Sequence, residues 1–246
     1  MKTIQILGCA IFSAAMAACG GGGSAAPAPT PDPTSTIADV QGIWSGTSGS
    51  SAGNMSVIVL PNGKAWAMLS NPTRLFKGTL AMPSSGITGS GNLYALGTTT
   101  IDAVNLTANL VPKSSLNGTI TSVNPNETYS LAYQTRYDTA ATLADFAGTW
   151  TGTMGAIALT WPISNGVING TSTTRCTYIG TLSLRTEAKA VVDVTINETC
   201  SGIVKQLSGV ALRSNTTTGG ITTASTVMLL TTSAGADEAL TVILSK

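Results

Sequence analysis

One nine-residue pattern occurs twice in this chain. Asp39-Val40-Gln41-Gly42-Ile43-Trp44-Ser45-Gly46-Thr47 returns as Asp145-Phe146-Ala147-Gly148-Thr149-Trp150-Thr151-Gly152-Thr153, every position displaced by 106. Both copies read Asp-apolar-x-Gly-x-Trp-x-Gly-Thr, which marks an internal duplication. Each half must therefore close a core of its own. A glycine lets the backbone pass close to an indole, and an indole is large enough to plug one end of a small closed barrel. Trp44 and Trp150 are the expected plugs, and Trp66 and Trp161 are expected in the core.

Short β-favouring runs separated by turn signals fill both halves. In residues 37–140 they fall at 42–47, 55–60, 64–70, 74–82, 87–96, 103–111, 115–122 and 127–135. In residues 141–246 they fall at 148–153, 156–163, 167–173, 176–186, 190–201, 205–214, 221–232 and 238–245. Pro61-Asn62-Gly63 and Ser164-Asn165-Gly166 occupy the same slot, and Asn-Gly predicts a tight hairpin with φ > 0 at both turn residues. Asn71-Pro72 and Asn124-Pro125 punctuate the first half, and Gly180-Thr181-Leu182 echoes Gly78-Thr79-Leu80, with Tyr178 in the place of Phe76. The expected fold is all-β, with two tandem antiparallel eight-stranded meander barrels.

The cysteines test the strand register. With a hairpin tip at Ala188, residues whose numbers sum to 376 face one another, and Cys176 and Cys200 meet that condition. The same register puts Tyr178 opposite Glu198, Gly180 opposite Ile196 and Leu182 opposite Val194 on an apolar face. Thr177, Thr181 and Ser183 oppose Thr199, Thr195 and Asp193 on a polar face, as a half-buried antiparallel pair requires. A Cys176–Cys200 disulfide is expected, stapling neighbouring strands. An immunoglobulin-like sandwich would place a tryptophan between its cysteines, whereas Trp150 and Trp161 both precede Cys176. Loss of the disulfide is expected to weaken the second half alone. Tyr178 and Glu198 point inward near one end of the second barrel and are the candidate ligand-facing pair.

The first residues read as a targeting segment: Lys2, an apolar run over 4–15, then Met16-Ala17-Ala18-Cys19. This closely resembles the signal and lipobox of bacterial lipoproteins over residues 1–23, with Met16 where Leu is commoner. The resemblance implies a signal peptide over 1–18, and lipidation of Cys19 as the first residue of the mature chain. It also implies, with Gly20 rather than Asp after the cysteine, an outer-membrane address in the bacterial cell envelope. Residues 19–36, rich in Gly and Pro, read as a flexible tether. The Gly-x-Trp openings resemble those of lipocalin and avidin-like barrels. Taken whole, residues 16–246 resemble uncharacterised bacterial lipoproteins built from two such repeats, which implies fold and compartment but no activity.

What the composition excludes is informative. A formal net charge of +1 with 9% charged residues gives no basic field for nucleic acid. The chain has no histidine, so Gly49-Ser50-Ser51-Ala52-Gly53 lacks the base a Gly-x-Ser-x-Gly elbow needs. No metal-ligand spacing, phosphate loop or cofactor motif is present. Asp39 and Asp145 read as turn acceptors. The expected function is non-enzymatic: an anchored lipoprotein that touches the membrane through its lipid and acts as a binding or interaction module for an envelope or extracellular protein. A lipocalin-like carrier of a small apolar ligand is the alternative, and an envelope hydrolase with a Ser-Lys pair comes third.

Overall fold

The computed structural model describes residues 35–246 except 50–52, 71–72, 85, 97, 99, 122–125 and 219–220, with no side-chain description at 216–218 or 221–224. The signal segment, Cys19, most of the tether, Ser50 to Ala52 of the elbow-like motif and the Asn71-Pro72 and Asn124-Pro125 turns thus lie outside the described residues. The first barrel is built from β1 (Gly42–Ser48), β2 (Gly53–Val59), β3 (Lys64–Ser70), β4 (Thr73–Ala81), β5 (Ile87–Ala95), β6 (Ile101–Val111), β7 (Ser115–Thr121) and β8 (Glu127–Tyr133). The second comprises β9 (Gly148–Met154), β10 (Ile157–Ser164), β11 (Val167–Ser172), β12 (Thr177–Leu184), β13 (Val191–Cys200), β14 (Ile203–Thr218), β15 (Ile221–Ser233) and β16 (Ala239–Ser245). Each is a closed antiparallel meander, with β8 returning to β1 and β16 to β9.

The second glycine of the duplicated pattern makes that closure possible. A Cβ on Gly46 would lie 2.0 Å from the Ser130 carbonyl oxygen of β8, and one on Gly152 would lie 2.4 Å from that of Ile243 in β16. Only a residue without a side chain lets the last strand dock at these two places.

The expected register between β12 and β13 is the one observed, from Thr177 opposite Thr199 to Leu184 opposite Val192. Cys176 and Cys200 form a disulfide with Cα atoms 4.4 Å apart. The two-faced pattern has exceptions: Ile179 on the polar face is 58% exposed, and Leu184 on the apolar face is 52% exposed. The two Asn-Gly hairpins differ. Asn165 and Gly166 both take positive φ, at 49° and 78°. At the first hairpin Pro61 holds φ near −65° and only Gly63 is left-handed, at 80°. There the Gly63 N–H donates to the Leu60 carbonyl, so proline converts the expected tight turn into one with an extra residue.

The barrels lie in one compact unit, Ser35–Lys246. Each lumen has its own apolar core. A third cluster joins the outer walls: Ile43, Trp66, Leu75 and Tyr94 from the first barrel pack with Val191, Val210, Leu212 and Leu230 from the second. Trp66 thus belongs to this wall and not to a lumen. The connecting segment is clamped as well. Asp138 accepts from Lys113 at 3.1 Å and Lys189 at 2.8 Å, and the Ala190 N–H donates to the Tyr137 carbonyl. Lys189, then Lys113, hold the Asp138 carboxyl down at about 2.

This shared wall changes the expectation for the disulfide. Replacing Cys176 and Cys200 by serine is expected to cost about 3 kcal/mol, the loop-entropy value for the enclosed segment. Both barrels are expected to lose that stability in one urea transition, because unfolding the second strips the wall of the first. Two separated transitions, with the first barrel unchanged, would show that the wall does not couple them.

Candidate functional site

At the plugged ends, local hydrogen bonds set each indole. The N–H and hydroxyl of Thr36 donate to the Asp39 carboxylate at 2.6 and 3.0 Å, closing a 3₁₀ turn over Ile37–Val40. Thr142 does the same to Asp145 at 2.7 and 2.8 Å before the short helix α1 (Leu143–Phe146). Each turn leaves a carbonyl aimed at the tryptophan four residues on. Trp44 Nε1 donates to the Val40 oxygen at 3.0 Å, and Trp150 Nε1 to the Phe146 oxygen at 2.7 Å. Both indoles are fully buried. Lys246 Nζ stands 4.3 Å from the Trp150 ring, and Tyr133 packs edge-on to Trp44. The bonds from Thr36 hold the Asp39 carboxyl below the usual range. Both aspartates are turn acceptors.

The opposite ends are closed by different chemistry. The offset that carries Gly78-Thr79-Leu80 onto Gly180-Thr181-Leu182 also carries Arg74 onto Cys176. In the first barrel Arg74 Nη2 meets Glu127 Oε2 at 2.6 Å, from strands on opposite sides of the lumen, and Glu127 is 3% exposed. In the second barrel the disulfide holds the corresponding end. Tyr178 lies under it, 1% exposed, with its ring centroid 4.9 Å from that of Trp161. Burial, then the Glu198 carboxylate, pushes the Tyr178 hydroxyl up to about 12. Tyr178 and Glu198 are therefore together as expected, but the phenol is a core group and only the half-buried carboxylate is open to solvent. Glu198 and the two sulfurs lie within 4.8 Å of one another. Sulfurs bonded to each other have no thiolate to offer a metal.

Little space is left inside the first barrel. The first lumen keeps a cavity of about 20 Å³ between Met55, Phe76, Leu106 and Tyr129. That is room for about one water, whereas drug-sized ligands occupy ~300 Å³ or more. Trp161 and Tyr178 sit in the core of the second lumen.

Open recesses lie instead where the barrels meet. One, of about 530 Å³, is apolar, between Met68 and Leu96 on one side and Met154, Ile157, Leu240 and Ile243 on the other. Another of about 530 Å³ is the more polar of the two. Its first wall presents Lys64, Lys77, Asn62 and Asn92, and its second presents Thr195, Ser208, Arg185 and Asp193. Lys77 Nζ crosses the junction to Thr232 Oγ1 at 2.6 Å, and the Tyr94 hydroxyl donates to the Ala236 carbonyl at 3.0 Å. Burial, then the charge of Lys64, lowers the Lys77 ammonium below its ordinary value. Thr232 is fully buried, so this Lys–Thr pair exposes no hydroxyl to a substrate carbonyl.

None of these lysines was singled out by the sequence. The available signal was that Lys64, Trp66 and Met68 alternate with Ala65, Ala67 and Leu69, giving a strand apolar on both faces with a cation at its edge.

No family model matches the chain, and no curated protein or solved structure gives a significant match. Among the described residues, no helix is long and apolar enough to cross a membrane.

Proposed function

We propose that this protein is a non-enzymatic, lipid-anchored lipoprotein of the bacterial outer membrane whose joined barrels serve as a binding or interaction module through their outer surfaces. The small space in the first lumen carries the reading: about 20 Å³ there, against about 530 Å³ in a recess between the barrels, favours recognition on the outer surfaces. Trp161 and Tyr178 in the second lumen weigh the same way against the carrier alternative. The anchor rests on the lipobox ending at Cys19, and the duplicated barrels supply an extended, sparsely charged surface beyond it.

The test is expression of the full chain in a Gram-negative host fed an alkyne fatty acid. Label and outer-membrane fractionation are expected for the native sequence and loss of both for Cys19→Ser. An unlabelled native chain sinks the anchor. Native mass spectrometry of the detergent-purified chain is expected to show the acylated protein without a co-purified apolar molecule; a stoichiometric one would favour the carrier.

A further inference from the structure

We infer that the polar recess between the barrels binds a compact oxyanion carrying two or more negative charges, a phosphate or polycarboxylate group, held by Lys64 and Lys77 against the hydroxyls of Thr195 and Ser208. This deepens the binding-module reading and rests on it.

Strand register builds the two walls. In the first barrel Lys77 lies opposite Trp66 on β3 and Asn92 on β5, and Lys64 lies opposite Thr79, one row along the same outer face. The two ammonium groups are therefore diagonal neighbours on one surface, where like charges repel. In the second barrel Thr195, Ser208 and Thr232 form a continuous row across β13, β14 and β15. A wall bearing two cations and two amides thus faces a row of hydroxyls, with Arg185 and Asp193 beside it.

The charges do not cancel. The acid on the second wall is Asp193, and Arg185 occupies it while also binding Glu187 at 3.1 Å. Among the described residues neither Lys64 nor Lys77 has a carboxylate within ion-pair distance. Lys77 is partly desolvated with only a hydroxyl as partner. Placing the partly desolvated Lys77 beside a second cation, Lys64, is unfavourable, and an oxyanion would offset that cost by accepting from both. On the far wall Ser208 offers a hydroxyl, and Thr195, whose hydroxyl pairs with that of Thr181 at 3.0 Å, donates to the anion when Thr181 is the donor of that bond. A recess between two packed units is a common place for a ligand.

Isothermal titration of the full chain in detergent micelles with inorganic pyrophosphate, and separately with citrate, tests this. Saturable binding in at least one arm is expected, weakening as sodium chloride is raised, and the arm that binds identifies phosphate or carboxylate chemistry. Lys64→Gln, at an exposed position, is expected to weaken it about tenfold, the loss of one charge-assisted contact. Lys77→Gln is expected to abolish it. Because Lys77 also bridges to Thr232, its variant is checked by thermal melting, and Lys64→Gln carries the test if that variant melts early. Affinity unchanged in Lys64→Gln would place the anion elsewhere and overturn the inference. Heat of binding in neither arm would overturn it too, while leaving the binding-module reading to its own labelling and mass measurements.

Discussion

Trp150→Ala is expected to cost about 4 kcal/mol in equilibrium urea unfolding, within the range for deleting a large buried aromatic. The indole has no solvent exposure, and its N–H is the partner that the Phe146 carbonyl has at 2.7 Å. Removing it opens a void beside Trp161, its direct neighbour on β10, and leaves that carbonyl unpaired. Trp150→Phe separates the two contributions. It keeps most of the volume and forfeits the hydrogen bond, so a smaller loss of about 1–2 kcal/mol is expected. Trp44→Ala should behave alike in the first barrel, where Val40 supplies the carbonyl. A loss below about 1 kcal/mol for either alanine variant would mean that the indole does not close its barrel.

Glu127→Ala should be comparably damaging, at about 3–5 kcal/mol, because it strands the Arg74 guanidinium in a low-dielectric end of the lumen. The pair is short, at 2.6 Å, and the side chains are 4% and 16% exposed. The outcome that distinguishes this account is the double replacement. Arg74→Met with Glu127→Leu removes both charges at similar volume and is expected to be near neutral or stabilising, so the two single losses should be far from additive. Urea unfolding of the four proteins in a cycle measures this. A double variant as unstable as the sum of the singles would show that the two charges are not coupled, and would overturn the account of a stranded guanidinium.

Much of the architecture could be read from residues because each half repeats its own instructions. Asp39 and Asp145, and Trp44 and Trp150, each answer a local demand, a turn acceptor and a plug, whereas the glycines, expected beside the indole, serve at Gly46 and Gly152 to let the last strand close the barrel. The facing of Cys176 and Cys200 followed from a hairpin centred on Ala188, whose φ of 49° marks the tip. The repeat also starts earlier than its nine-residue core, since Thr36 and Thr142 three residues before each aspartate complete the turn. A Thr-x-x-Asp spacing carries that signal in both copies.

The wall between the barrels was not legible, for a physical reason. Alternation within a strand says that two faces differ, whereas runs such as Val57-Ile58-Val59-Leu60 and Met228-Leu229-Leu230 say only that both are covered. Which strand covers which depends on how two closed bodies pack, and no turn or spacing encodes that. The polar recess inherits the same difficulty, because Lys77 and Ser208 come together only once the walls have met. At the barrel ends, Arg74 and Glu127 are 53 positions apart, so their pairing follows from closure and not from local sequence.

The greasy junction also bears on how the halves can exist apart. A chain cut in the connecting segment would turn Trp66, Leu75 and Tyr94 on one fragment, and Val210, Leu212 and Leu230 on the other, toward water. Faces of that kind draw molecules into clumps, so a lone half would have to find a mate before it could stay in solution. With both on one polypeptide the mate is always at hand, and dilution no longer matters.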